Sequence, residues 1–282
     1  MHIVLLTAIA MVAFAANSVL ARLALSSDSI DALSYTGIRL ASGALLLFAM
    51  VQFSRRNGSL RPLGGSWAGA AALFSYAIAF SVAYLMVGAG MGALILFASV
   101  QMSMLGWAIA KGDRPGALEW LGIGLAIAAL AYLVFPGLTA PSPLGALLMA
   151  IAGAAWAAYS LIGRGSKSPL IDTAGNFIRC LPLALLLLAL GLAAATPSAP
   201  GILYAVLSGA IASGLGYAVW YLALPRLSRI TASTVQLTVP AIAALGGVLL
   251  LAEPITLRLA LASAGILGGV ALALFAAERR KR

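Results

Sequence analysis

Long stretches without a charged residue constrain this chain more than any other feature of its sequence. The longest covers residues 62–110, with 49 residues free of Asp, Glu, Lys and Arg, and residues 120–163 form a second. About 20 apolar residues in a helix span roughly 30 Å of hydrocarbon, so each stretch can hold two membrane-crossing helices. Only 9% of the chain is charged, against about 25% in soluble domains. The sequence therefore predicts an integral membrane protein built from helices.

Clusters of glycine and proline divide the apolar stretches into ten candidate helices. Such clusters interrupt helices, and here they lie at Gly88–Gly92, Phe135–Gly137, Pro141–Pro143 and Thr196–Gly201. Of the helices outside those stretches, the first is expected over residues 3–21, the second over Leu33–Phe53, the ninth over Thr231–Ala252 and the tenth over Leu257–Ala277.

The chain contains an internal repeat. Residues 36–50, TGIRLASGALLLFAM, correspond to residues 176–190, NFIRCLPLALLLLAL, and Arg39 and Arg179 occupy the same place in the two copies. The repeat predicts two units, residues 1–138 and 139–282, with five candidate helices each. Because five is odd, the second unit enters the membrane from the opposite side. The expected fold is an all-α membrane protein of ten transmembrane helices in two inverted five-helix repeats, which permits alternating access around a midplane site.

Positive charge is distributed unevenly over the alternate loops. With the N-terminus in the cytoplasm, 13 of the 17 basic residues fall on the cytoplasmic side, and only Arg22 and Arg258 fall outside. Cytoplasmic loops carry an excess of Lys and Arg. We therefore expect a multi-pass protein of the cytoplasmic (inner) membrane with both termini in the cytoplasm. The net charge of +10 is then a topology signal that favours membrane lipid, and not nucleic acid, as a partner.

Polar and aromatic side chains inside the candidate helices indicate a substrate cavity. Polar groups are costly in lipid and usually face protein or a water-filled space. The third and eighth helices carry them at a spacing of four residues, as Tyr76, Phe80, Tyr84 and as Ser213, Tyr217, Tyr221. The predicted substrate-binding residues are Phe14, Asn17, Ser18, Tyr76, Phe80, Ser81, Tyr84, Phe97, Gln101, Trp156, Tyr159, Ser160, Tyr217, Tyr221 and Gln236. For any one of them, core packing or an interhelical hydrogen bond is the alternative.

Rings, amides and hydroxyls together suit a small amphipathic zwitterion, so the expected substrates are amino acids, including aromatic ones. The arginines Arg39 and Arg179 each lie about one-third of the way along their helices. Each could bind a substrate carboxylate, or could reach a loop carbonyl by snorkelling and close one end of the cavity. The sequence favours the structural or gating role for both.

The chain resembles the EamA family of the drug/metabolite transporter superfamily. The resemblance is carried by the repeated Ile-Arg pair and by residues 232–269, with Pro240 in mid-helix, Glu253 at the helix end and glycines on the last helix. In the first copy, Val100 and Asp113 stand at the proline and glutamate positions. The resemblance implies ten helices, inverted repeats and export of small metabolites, often amino acids. Multidrug or nucleotide-sugar transport is the alternative within the superfamily.

Other classes of protein are disfavoured by what the sequence lacks. It has no G-x-x-x-x-G-K-[ST] motif for ATP, one histidine, His2, and one cysteine, Cys180. We therefore expect no metal, no cofactor and no enzymatic activity, since an intramembrane enzyme needs a nucleophile–base pair or a metal. A channel or scaffold is a remote alternative. Gly265 and Gly269 form a GxxxG motif, which supports either close packing within a monomer or a homodimer.

No Asp or Glu lies near the middle of a candidate helix, although carboxylates there are the usual proton relays. We therefore expect facilitated diffusion or exchange. Substrate flux should be measurable in proteoliposomes whose internal and external pH are equal. Flux that begins only when a proton gradient is imposed would contradict this expectation.

Overall fold

The computed structural model describes residues 2–53, 63–112, 114–135, 137, 140–164, 166–223, 226–227 and 235–281. Within these ranges the regular structure is entirely helical. The helices are α1 (His2–Ser26), α2 (Ala32–Phe53), α3 (Trp67–Ala83), α4 (Ala89–Ala110), α5 (Ala117–Val134), α6 (Pro143–Gly163), α7 (Pro169–Ala194), α8 (Ala199–Ala223), α9 (Thr238–Leu251) and α10 (Leu257–Lys281). Eight of these described helices are long and apolar enough to cross a membrane, while α3 and α9 are shorter apolar helices.

Serine residues begin several of these helices. Ser66, Ser142 and Ser198 occupy the N-cap positions of α3, α6 and α8, and each side chain accepts a hydrogen bond from the backbone N–H three residues later. The cap satisfies a backbone donor that the first turn of a helix leaves without a partner. Such satisfaction matters because hydrocarbon offers the backbone no hydrogen-bonding partner.

The turn between α3 and α4 comes earlier than the glycine-rich break predicts. The helix α3 ends at Ala83 and α4 begins at Ala89, so Gly90 and Gly92 are helical. A Cβ atom on Gly90 would lie 2.5 Å from the Cβ of Ala244, and one on Gly92 would lie 2.5 Å from the Tyr84 ring. These glycines therefore allow neighbouring groups to approach α4 closely, and they do not end a helix.

Two further helices differ from their expected form. The ninth, predicted over Thr231–Ala252, is described as the helix Thr238–Leu251, and residues 235 and 236 before it are also helical. Residues 231–234, like Asp113 and Pro136, lie outside the described residues. The helix α8 contains a π-helical stretch, Leu207–Leu215, between two α-helical parts. A π-helix has wider turns than an α-helix, so it changes which side chains share a face.

The helices of the first and second halves of the chain interlock. The most extensive pairings join α2 with α7 and α8, α5 with α10, α3 with α6, α4 with α6 and α9, and α1 with α8 and α9. All of these contacts cross between the halves. The core of the molecule is therefore made jointly by the two halves, and so is any cavity enclosed within it.

The pairing of α5 with α10 depends on small residues. A Cβ atom on Gly122 would lie 2.5 Å from the carbonyl oxygen of Gly269, and one on Gly269 would lie 2.5 Å from that of Gly122. A Cβ on Gly265 would lie 2.6 Å from the Ala129 Cβ. The GxxxG motif is thus engaged within the chain, as expected for helices whose backbones touch in lipid. By contrast, Gly124 has open space beside it.

We expect Gly269→Ala to lower stability by about 1–3 kcal/mol, because the added methyl group must push two backbones apart. The midpoint of thermal unfolding of the purified protein in detergent measures this. The neighbouring Gly268→Ala is a matched control, because a Cβ there meets nothing within 4 Å. Equal midpoints for the two variants would show that the contact is not a tight one.

Candidate functional site

A small cavity lies where helices of both halves meet. Its lining residues are Phe14, Asn17 and Ser18 from α1, Tyr76 and Phe80 from α3, Leu96 and Phe97 from α4, Trp156 from α6 and Tyr217 from α8. About 20 Å³ of the cavity can hold the centres of water molecules. One water needs roughly 10–15 Å³ by this measure, so only one or two waters fit in this conformation.

Aromatic rings form most of the wall. The Trp156 ring lies at the centre of this group, with its centroid 4.9 Å from that of Tyr76 and 5.2 Å from that of Tyr217. On the far side, Phe14 meets Tyr217 edge-on at 5.8 Å. These separations are typical of attractive aromatic pairs. The wall is therefore a continuous set of rings that spans both halves of the chain.

One charged side chain lies directly behind this wall. Arg39 is 2% exposed, and its Nη2 donates to the Tyr76 hydroxyl at 3.0 Å and, more weakly, to Ser213 Oγ at 3.5 Å. The guanidinium carbon lies 4.6 Å from the Phe80 ring centroid and 5.2 Å from that of Tyr76. Cation–π attraction at these distances partly replaces the lost hydration of the charge. Arg39 thus contacts two lining residues without lining the cavity itself.

The carboxamide of Asn17 connects the cavity to α8. Its Oδ1 accepts hydrogen bonds from Ser208 Oγ at 2.8 Å and from Ser213 Oγ at 3.3 Å. In an α-helix, two residues five apart would lie on different faces. The π-helical stretch contains both serines and allows them to reach the same acceptor. Sequence reasoning missed Ser208, because the α-helical spacing of Ser213, Tyr217 and Tyr221 hid this arrangement.

The structure brings together eight of the fifteen residues that the sequence predicts as binding residues. They are Phe14, Asn17, Ser18, Tyr76, Phe80, Phe97, Trp156 and Tyr217, and Leu96 joins them. Leu96 was missed because an aliphatic side chain in an apolar helix carries no signal. That any of these residues binds a substrate stays a prediction.

The other seven predicted residues lie outside the lining set. Ser81 and Ser160 donate to backbone carbonyls of their own helices, those of Ala77 and Trp156, each at 2.8 Å. The hydroxyl of Tyr84, which follows the end of α3, donates to the Ala89 carbonyl at 3.4 Å. Tyr159 bonds Thr173 at 3.4 Å. The remaining three are Gln101, Tyr221 and Gln236.

The two repeat-related arginines have different surroundings. Arg179 is half-buried, donates from Nη1 to the Gly64 carbonyl and stacks 5.9 Å from the Trp67 ring centroid. This is the loop contact that snorkelling predicts. For Arg39 the snorkelling interpretation is wrong, since its side chain turns into the core towards Tyr76. The polar groups of α3 and α8 hold it there.

An ion pair ties three parts of the chain together at one end of the molecule. Arg22 Nε lies 3.0 Å from Glu253 Oε1, and Arg22 Nη1 donates to the Tyr84 carbonyl at 3.0 Å. The other carboxylate oxygen, Oε2, accepts from the Ala89 N–H at the start of α4, at 2.8 Å. A carboxylate is favoured at a helix N-terminus. The Tyr84 ring also packs 4.6 Å from the Phe80 ring, which links this ion pair to the cavity.

Acidic side chains are scarce around the cavity. Within the described ranges, the one ion pair is that of Arg22 with Glu253. No acidic side chain in these ranges forms an ion pair with Arg39. In the same part of the chain, no group of three or more His, Cys, Asp or Glu side chains could hold a metal ion.

Comparison with known proteins agrees with this architecture. Residues 143–275 match the EamA-like transporter family. The chain is 51% identical over 270 residues to an uncharacterised protein of Pseudomonas aeruginosa, covering 96% of this chain and 93% of that one. A solved structure described only as "Crystal structure of protein" has a TM-score of 0.64 at 21% identity, and covers 94% of this chain and 98% of that one. At that identity the likeness shows the fold alone.

A helical fold with this many apolar helices is that of a multi-pass membrane protein. The chain belongs to the EamA-like transporter family, whose members are transporters and not enzymes.

Proposed function

We propose that this protein exports small amphipathic metabolites, foremost amino acids, across the cytoplasmic (inner) membrane by facilitated diffusion or exchange. The observation that carries the proposal is the cavity between the halves, where aromatic rings surround the Asn17 amide and the Ser18 hydroxyl. Rings contact an apolar side chain, while amides and hydroxyls bond the amino and carboxylate groups. A binding site with a few polar groups in an apolar wall is typical for small ligands.

Ten crossings in two inverted repeats are part of the same proposal. If each helix is replaced by its counterpart in the other half, the contacts α2–α7, α4–α9 and α5–α10 stay the same. Under the same exchange, the contact α3–α6 becomes α8–α1, and the contact α4–α6 becomes α9–α1, and all of these contacts are present. A pseudo-two-fold axis explains this pattern of pairings. Inverted repeats let one half rock against the other around a central site.

Alternating access is supported by the size and surroundings of the cavity. Room for one or two waters is too little for an amino acid, so we propose that the helices move apart when a substrate enters. We propose that the pair Arg22–Glu253, which holds the α4 N-terminus, closes one end of the cavity. Under the orientation that the basic residues favour, this is the outer end. We infer that the pair breaks when the protein opens outwards.

A counterflow assay in proteoliposomes tests the proposed function. With a panel of amino acids inside, we expect saturable uptake of labelled amino acid that unlabelled substrate competes away. Trp156→Ala should lower the exchange rate about tenfold, the equivalent of losing ~1.4 kcal/mol of ring contacts. Trp120→Ala is the control, because that ring is 52% exposed on α5.

Three outcomes would contradict the proposal in different ways. Flux that does not saturate would indicate a channel. Exchange of a nucleotide sugar or of a cationic drug, with no amino acid carried, would assign the alternative substrate class. Equal losses of exchange rate in Trp156→Ala and Trp120→Ala would show that the cavity does not take part in transport.

Labelling of a cysteine in the cavity tests the closure. In a Cys180→Ser background, Ser18→Cys should react slowly with an impermeant maleimide added outside. Adding Glu253→Gln should speed the reaction several-fold, because it removes the charge that holds Arg22. Asp28→Asn is the matched control, since Asp28 is an exposed acid near the same end. An unchanged labelling rate in the Glu253 variant would show that this contact does not close the cavity.

A further inference from the structure

The charge of Arg39 is buried without an acidic partner. Its Nη1 has no hydrogen-bond partner, and no described carboxylate pairs with the guanidinium. A buried charge normally requires a counter-ion, because removal from water costs several kcal/mol. In membrane proteins, such a charge usually faces a functional site. The geometry leaves this positive charge to be balanced by something that the chain itself does not supply.

Arg39 also sets the direction of the hydrogen bonds around it. A guanidinium can only donate. The Tyr76 oxygen therefore accepts from Arg39, and its own O–H is directed elsewhere. Ser213 accepts from Arg39 in the same way, and its O–H donates to Asn17 Oδ1, which also accepts from Ser208. The two N–H donors of Asn17 Nδ2 then have no acceptor among the described residues.

Both of the remaining donors belong to residues that line the cavity. The Tyr76 O–H and the Asn17 NH₂ are on lining side chains. Among the described residues, the hydrogen bonds of these two side chains are those in which their oxygen atoms accept, from Arg39 and from the two serines. A hydroxyl that accepts from a cation becomes a stronger donor, since hydrogen bonds in a chain polarise one another. The cavity therefore offers donors, with a full positive charge one side chain behind them. That combination fits an acceptor with negative charge.

We propose that the cavity recognises the carboxylate of its substrate through Tyr76 and Asn17, and that Arg39 is the positioning residue that orients and polarises these two donors. The inference rests on the proposed function of the same cavity. The ammonium group of a zwitterion would lie against the ring faces, where cation–π attraction replaces water. A cation without a carboxylate would meet donors and a like charge.

The repeat provides an internal comparison. Arg179, at the equivalent position in the second half, donates to the Gly64 carbonyl and stacks on Trp67. An arginine at this place in the fold can therefore be satisfied by loop backbone. Only in the first half does the arginine turn towards the cavity, so the fold alone does not require Arg39 to lie there.

The first experiment uses the wild-type chain in proteoliposomes and three probes. Phenylalanine, 3-phenylpropionate and phenethylamine share a ring and a linker, but the second lacks the amino group and the third lacks the carboxylate. We expect phenylalanine and 3-phenylpropionate to be carried or to compete, and phenethylamine to be at least about tenfold weaker, as for loss of a charged hydrogen bond. Binding is followed in parallel by the fluorescence of Trp156, with Trp156→Phe as the blank.

Variants then assign the effect. Asn17→Asp keeps an oxygen for Ser208 and Ser213 but replaces the donor group by an anionic oxygen, so it should lose carboxylate preference by about tenfold or more with little change in shape. Arg39→Gln should also lose the preference, and Arg39→Lys should retain part of it. Arg179→Gln is the matched control, in which the ratio of 3-phenylpropionate to phenethylamine should stay at the wild-type value. If Arg39 only supported the structure, Arg39→Gln would lower the affinity for all three probes equally.

The outcomes separate this inference from the proposed function. Transport of phenethylamine as good as that of phenylalanine would overturn the carboxylate inference and leave transport standing. Binding of the two carboxylates without transport of any probe would support the inference and overturn the transport proposal for amino acids. Absence of both binding and transport for the carboxylates would overturn both. A preference unchanged in Asn17→Asp, which is isosteric and expected to fold, would also reject the inference.

Discussion

Hydrocarbon supplies no hydrogen-bonding partner, so the backbone of this chain must satisfy itself, and the fold follows from that constraint. Each described apolar segment is a helix, and serine caps satisfy donors at several helix ends. Lipid also provides no hydrophobic force to press helices together, so association depends on close backbone packing. The contact between Gly122 and Gly269 is one result.

Interlocked halves have a consequence for polar groups. Because α1 and α3 pack against helices of the other half, side chains far apart in the sequence come together in and behind the wall of one cavity. Arg39, Tyr76 and Ser213 meet there, and their hydrogen bonds point towards Asn17. A charge that would be costly in lipid is thus held inside the protein, beside the cavity where it can interact with a substrate.

Divergence between the copies of the repeat matters as much as their likeness. Arg39 and Arg179 are equivalent in sequence, yet one turns inwards and the other bonds a loop carbonyl. The π-helical stretch of α8 directs Ser208 and Ser213 towards the same amide. A substrate such as an amino acid has no two-fold symmetry, so a cavity made by two copies must differ between them.

Composition and periodicity determined the helical membrane class, most helix positions and eight of the cavity residues, because the cost of burying polar groups in lipid is local and can be read residue by residue. Tertiary structure alone decided that Leu96 lines the cavity, that Ser208 reaches Asn17 and that Arg39 faces inwards. Those outcomes depend on which helices touch and on the wider turns of α8, and neither leaves a periodic signal in one sequence.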